Sequence, residues 1–386
     1  MIKEVVKGFR DYTGEEAEKR EQIRSILVRT FEKYGFETAE TPIIEYEDFV
    51  KGDNPNDEAV SDIFKLKDRG ERKLALRYEV TFQLKRLMKN QKLPYKRFQI
   101  GPVFRDEPIS GNRFRQFITC DVDIIGSSIK DEAEIFFMIA KILNALEIKG
   151  VIYVNNRKLL NEILDSLKIS VKDRDNVIRE IDKLDKLSEK EVLANLKKYN
   201  AEKLIYMLKN KKYYFSKFEN FKEILELEKY CKLYGVKIEF SPFLARGLSY
   251  YNGTIFEIKT KEIKETILGG GAYTFNNINS FGFGVSLERL EAVSKLKLEN
   301  KKVLVISLDQ DKKAIELSIK LRKENINCVV MYGKPSKALE YANAKNINSV
   351  VFVGENEIKS NKFKLKDMKS GKELSVSEKD LIKKLM

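Results

Sequence analysis

Apolar residues recur along this chain at two periods, and the switches between them mark its elements. Ile23, Leu27 and Phe31 stand four apart, one face of a helix. Thr13 and Glu16 have capping-box spacing at its start, and Gly35 stops it before Phe36. Pro42 opens an extended stretch, and residues 57 to 90 are expected to supply a loop, Leu76 to Thr81, and an amphipathic helix through Lys89. Phe98 to Phe104 and Phe117 to Ile125 are rich in aromatic and β-branched residues, with Pro108, Ser110, Gly111 and Asn112 between them, which predicts an antiparallel pair. Asp131 to Leu146 reads as a helix with Ile135, Ile139 and Leu143 on one face.

From about Asn155 to Tyr234 the texture changes. Glycine disappears until Gly235, charge runs high, and Leu159, Ile163 and Leu167 keep helical spacing, which predicts a helical insertion. Strands are expected to resume at Val236 and run to about Lys297. After a charged linker around Lys297 to Lys302 the pattern is β-α-β-α-β. Its strands are Val303–Leu308, Cys328–Met331 and Val350–Gly354, and its helices Lys312–Lys323 and Pro335–Asn346. That alternation implies a small sheet, parallel at its core, with helices against it.

Composition sharpens the picture. Lys plus Arg number 73 and Asp plus Glu 59, a surplus of 14 with pI about 9.3, which points to a polyanionic partner, although Lys-rich surfaces also serve solubility alone. No apolar run approaches the ~20 residues that span a bilayer. A fold entered at Gly8 leaves no room for a leader, so the expected location is cytoplasmic. Cys120, Cys231 and Cys328 lie far apart, fitting a reducing compartment and no zinc site. Histidine is absent, which excludes imidazole bases and His-ligated metals. Chemistry done by positioning and charge remains, as in nucleotidyl transfer.

Candidate residues for such chemistry fall in three runs. Arg105 and Glu107 end the first strand of the predicted pair; Arg113, Arg115 and Phe117 begin the second. An Arg, a carboxylate and an aromatic face around one opening suit a nucleotide. The stretch A-R-G-L-S-Y-Y-N-G-T-I-F-E, Ala245 to Glu257, sets Arg246, a bend at Gly247 and two phenols, Tyr250 and Tyr251, before an apolar run. A guanidinium there suits phosphate or carboxylate. On an extended chain the two tyrosines would face opposite ways, one into a pocket and one into packing. Gly282 to Leu290 reads as a strand entering a helix that carries Arg289. The cluster Lys211 to Phe215 interleaves basic and aromatic residues; it suits RNA contact, or a helix end whose lysine stems cover apolar surface.

These runs resemble motifs two and three of class II aminoacyl-tRNA synthetases, and R-G-L-x-Y-Y, Arg246 to Tyr251, resembles the signature of the histidyl-tRNA synthetase family. G-F-R-D (Gly8 to Asp11) and T-P-I-I-E (Thr41 to Glu45) resemble the family's opening and motif one, and L-R-Y-E-V-T (Leu76 to Thr81) its amino-group loop. The resemblance implies an α+β fold, an antiparallel sheet core with flanking helices. Its expected parts are a catalytic core over 1–154 and 235–297, a helical insertion over 155–234 and an α/β anticodon-binding domain over 301–386. It implies ATP-dependent activation of histidine and transfer to tRNA(His) by a homodimer. ATP is a substrate, Mg2+ arrives with it, and no metal is held by the protein alone. By motif position Arg105 meets the α-phosphate, Glu107 the adenine amino group, Phe117 the base, Arg246 the α-phosphate from the other side and Arg289 the γ-phosphate. Glu79 and Thr81 would take the α-ammonium and Asp123, Tyr251 and Tyr273 would read the imidazole; Thr119 and Tyr250 also belong to the histidine site, and Gly269 to Gly271 would let backbone approach the substrate.

The chain departs from that pattern at Tyr78 (usually Pro), Thr119 (usually Gln), Ala272 (usually Arg), and Ser249 and Thr274 (usually acidic). Thr119 is shorter than the usual glutamine, so a water or a shifted backbone would have to complete the α-amino site. The alternative is a non-charging paralogue that binds histidine as a regulator, like the regulatory subunit of ATP phosphoribosyltransferase; that relative typically lacks the C-terminal domain present here.

Overall fold

The computed structural model describes residues 3–52, 60, 62–109, 113–246, 250–297 and 302–386. The chain divides into two compact units, Met1–Leu296 and Lys297–Met386. Gly111, Gly247 and Ser249, and most of the expected linker, lie outside the described residues.

Strands of the first unit are β1 (Glu37–Thr38), β2 (Ile44–Tyr46), β3 (Lys65–Lys67), β4 (Lys73–Leu76), β5 (Tyr95–Phe104), β6 (Gln116–Ile125), β7 (Val151–Asn156), β8 (Glu239–Phe240), β9 (Tyr251–Lys259), β10 (Leu268–Phe275) and β11 (Ile278–Ser286). Eight form one sheet in the order β1-β5-β6-β11-β10-β9-β7-β8, antiparallel except at its two edge pairs, while β2-β4-β3 make a small separate sheet. Alternation decides what each face of the large sheet carries. Phe98, Cys120, Val122, Ile124, Phe256, Ile258 and Phe281 pack into a core with Ile23, Leu27 and Phe31 of the helix Gly14–Lys33 and with Ile135, Phe136 and Ile139 of the helix Ile129–Ala145. The intervening positions, among them Phe117, Thr119, Asp121 and Asp123, open on the opposite face.

The first helix begins without the expected capping box. Thr13 makes no side-chain cap, because Glu16 reaches instead to Arg10 (2.9 Å). Gly35, at φ 77°, ends it as predicted. The amphipathic helix expected through Lys89 is one turn, Leu84–Leu87, since the chain must reach the start of β5. After β7, the helices Arg157–Ser166, Arg174–Asp182, Glu189–Leu196, Lys203–Leu208 and Phe221–Leu233 pack about a second core that includes Leu159, Ile163, Ile178 and Leu204. Phe215 of the basic–aromatic cluster is wholly buried there and serves packing, Lys212 pairs with Glu228, Lys217 lies over Tyr214, and Tyr213 is exposed. Regular strand resumes at Glu239 rather than Val236.

In the second unit β12 (Val303–Ser307) pairs in parallel with β13 (Cys328–Tyr332) and β14 (Ser349–Val353). The antiparallel strands β15 (Phe363–Asp367) and β16 (Glu373–Val376), unpredicted, extend it. Ala314, Leu317 and Leu321 of the helix Asp311–Lys323 are buried on one face; Ala338 and Ala342 of Pro335–Ala344 cover the other.

Candidate active site

The polar face of the large sheet is the floor of a cleft of about 1140 Å³. Every residue expected at the nucleotide and histidine sites lines it: Glu79, Thr81, Arg105, Glu107, Phe117, Thr119, Asp123, Arg246, Tyr250, Tyr251, Tyr273 and Arg289. The insertion adds a wall that includes Arg179, Lys183 and Tyr199.

Arginines gather at one end. Arg105 donates to the Tyr78 carbonyl (3.2 Å) and stands 5.3 Å from the Phe117 ring centre. Arg113 and Arg105 flank Glu107 at 3.5 and 3.7 Å. Arg289 donates to the Thr266 carbonyl (2.7 Å). Burial first, then the neighbouring Arg113, Arg105 and Arg246, lower its pKa. Cations so crowded favour a polyanion between them. The helix bearing Arg289 is anchored through Glu288, which accepts from Arg20 (2.8 Å), the Ile118 N–H (3.1 Å) and Ser286 (2.8 Å).

Arg246 occupies a left-handed backbone position, φ 46°, unusual for a residue with a side chain. Its guanidinium donates to Glu257 (3.2 Å), itself held by Thr266 (2.9 Å). It lies across Gly269, where any side chain would collide with it. Gly270 is similarly closed off by the backbone of β11. The glycine run therefore makes room for Arg246 and for a neighbouring strand, and Gly269 itself lines the cleft.

Acids and phenols make up the rest of the floor. Asp123 Oδ2 lies 2.7 Å from Nη2 of Arg97, a wholly buried guanidinium that also donates to the Val80 carbonyl (2.9 Å). Tyr273 donates to Asp123 Oδ1 (2.6 Å). Burial, and then Asp123, hold the Tyr273 phenol well above its ordinary range. The carboxylate lies over Gly282, whose missing side chain it would overlap. Asp121 accepts from Thr119 (2.5 Å), and burial pushes its carboxyl up to about 6. Tyr250 and Tyr251 do not face opposite ways. Tyr250 sits in the turn before β9, so both rings line the cleft with centres 4.5 Å apart and hydroxyls 3.3 Å apart.

Arg97, Glu257 and Glu288 were not picked out by sequence pattern. Each touches a neighbour distant along the chain or across a strand pair, and Arg97 becomes legible only once β5 is set in register against β6, which places it beside Asp123.

A mostly antiparallel sheet carrying arginines, acids and phenols in one cleft is the arrangement that the resemblance to class II synthetases implies. A sequence profile described as histidyl-tRNA synthetase matches residues 8–290, and one described as anticodon binding domain matches 302–386. The chain is 34% identical to histidine--tRNA ligase 1 of Bacillus cereus, with 96% of each chain covered. The crystal structure of histidyl-tRNA synthetase from Nostoc sp. PCC 7120 superposes with TM-score 0.87 at 25% identity, covering 100% of this chain and 99% of that one. An ATP phosphoribosyltransferase regulatory subunit/histidyl-tRNA synthetase from Bacillus halodurans C shares the fold, with TM-score 0.73 at 18% identity over 88% of this chain and 96% of that one. The chain belongs to the histidyl-tRNA synthetase family.

Proposed function

We propose that the protein is a histidine–tRNA ligase that activates histidine with ATP and transfers it to tRNA(His). The observation that carries this reading is the convergence of Arg105, Arg113, Arg246 and Arg289 in one cleft with Asp123, Tyr251 and Tyr273, Arg246 lying 5.5 Å from the Tyr251 ring centre. A histidine carboxylate oxygen attacks the α-phosphorus of ATP, the bond to the bridging oxygen breaks, and pyrophosphate leaves. The terminal ribose hydroxyl of tRNA then takes the histidyl group and releases AMP. Neither step needs a covalent enzyme intermediate; both need aligned reactants and fixed positive charge.

In this reading Arg105 and Arg246 grip the α-phosphate from two sides and Arg289 meets the γ-phosphate. Glu107 and Phe117 take the adenine, and Glu79 and Thr81 the amino group. Magnesium belongs to the nucleotide substrate, held chiefly by phosphate oxygens. Residues 301 to 386 act on the anticodon. Exposed Ile44 and Tyr46 on β2 favour the homodimer that motif one implies, and no helix among the described residues is long and apolar enough to cross a membrane, in keeping with a cytoplasmic enzyme.

Amino-acid-dependent ATP–pyrophosphate exchange tests the reading. Histidine alone among the twenty amino acids should support it. Histidine binding in calorimetry without exchange would replace the ligase with the regulatory paralogue.

A further inference from the structure

Two carboxylates stand two residues apart on the floor of the cleft, and the fold treats them differently. Asp123 is committed on both oxygens, to Arg97 at 2.7 Å and to Tyr273 at 2.6 Å. Asp121 has no Lys or Arg at ion-pair distance among the described residues; Arg97, Arg105 and Arg77 face it from further off, with Asp123 and Cys120 as its other titratable neighbours. Its hydrogen-bond donor there is Thr119, at 2.5 Å. Across the strand pair its partner in register is Gly284, where even a Cβ would stand only 3.0 Å from Asp121 Oδ1, so no side chain covers the carboxylate from that strand.

We propose that Asp121 is a histidine-contacting residue, which with Thr119 joins Glu79 and Thr81 in receiving the substrate's α-ammonium. The inference rests on the reading of this cleft as a histidine and ATP site. The order of groups along β6 supports it. Phe117 lies beside Arg105 at the phosphate end, Asp123 beside Arg97 at the far end, and Thr119 and Asp121 fall between, each step of two residues spanning roughly 6.6 Å. Histidine entering with its carboxylate toward the arginines puts its ammonium next and its ring last. The ammonium is a fixed positive charge, and a buried carboxylate without a close cation is its natural partner. Asp123, already balanced by Arg97, offers remaining lone pairs to a ring N–H.

The arrangement also accounts for the short residue at 119. The Thr119 hydroxyl proton is engaged by Asp121, so both side chains present acceptor oxygens to the ammonium. Together they do what a longer amide would do alone.

The test compares histidine with 3-(imidazol-4-yl)propanoate, which keeps ring and carboxylate and lacks the amino group. In Asp121→Asn the KM for histidine in exchange should rise about ten- to a hundredfold, the scale of a lost charged hydrogen bond. The KM for ATP and the inhibition constant of the propanoate should stay within about twofold of wild type, the scatter expected of untouched contacts. Equal weakening of histidine and the propanoate would assign Asp121 to the ring or to the floor itself and overturn the proposal, as would an unchanged histidine KM. Should Asp121→Asn fail to fold, Thr119→Val reads the same contrast: a selective loss for histidine supports the pair, and a loss shared by the propanoate, or none, overturns it. Absence of exchange in the wild type would instead overturn the proposed function.

Discussion

Arg246 combines three costs at one residue: a left-handed backbone, burial beside Tyr251, and a carboxylate, Glu257, that must be displaced or shared when phosphate arrives. Such strain persists where the surroundings hold it, here through Glu257, Thr266 and the bare backbone of Gly269. Arg246→Ala should lower the exchange rate by on the order of a hundredfold or more, as loss of one charge-stabilising donor does, with steady-state exchange as the measurement. An unchanged turnover number would remove it from the catalytic set. Behind the site, Glu132 is buried against Thr254 and its carboxyl is pushed up to about 7 by burial. A folded value above the unfolded 4.5 means the fold prefers the protonated acid. Its stabilisation is fully present below about pH 4.5 and is lost as pH rises through about 7, on the order of 3 kcal/mol at most. Asp121 adds the same sign up to about pH 6. Glu132→Gln should therefore flatten part of the fall in melting temperature across this range and melt higher than wild type at about pH 8. Identical pH profiles would show that Glu132 does not titrate there.

At the scale of elements, β10 works through what its side chains omit. A Cβ on Gly269 meets the movable end of Arg246, whereas one on Gly270 meets the Gly282 carbonyl and the Phe283 backbone, which cannot yield without parting two strands. Gly269→Ala should thus impair exchange while melting close to wild type. Gly270→Ala should lower stability by about 1–3 kcal/mol or more, the usual cost of overpacking. Thermal melts beside exchange rates separate the two, and the reverse pattern would refute this account of the strand. Strand alternation and helical spacing were visible beforehand: Phe117 to Ile125 and the helix through Ile135 and Ile139 lie where their periods placed them. The capping box was not, because Glu16 had a second partner in Arg10 that spacing alone cannot weigh.

For the whole molecule, division of labour is the testable property. Deleting residues 301 to 386 should leave histidine-dependent exchange largely intact while tRNA charging falls sharply, because the first unit holds every cleft residue. Equal loss of both activities in a well-folded truncation would contradict this. With a surplus of 14 positive charges, affinity for tRNA should fall as salt rises, log K declining linearly with log salt.

Much of the functional reading was already present in the order of residues. Arg105, Glu107, Arg246, Tyr251 and Arg289 sit in local runs whose spacing is a property of the chain, and the absence of histidine confined the chemistry to charge and positioning. The partners of those residues could not be read that way. That Arg97 balances Asp123, that Tyr273 crosses β11 to reach it, and that Asp121 is left to Thr119 all depend on strand register, which one residue of slip would reverse. Tyr250 joined Tyr251 in the cleft for a similar reason: the chain turns there instead of extending. Local spacing determines which groups a chain can offer; the pairing of distant strands decides which partners each of them has when a substrate arrives.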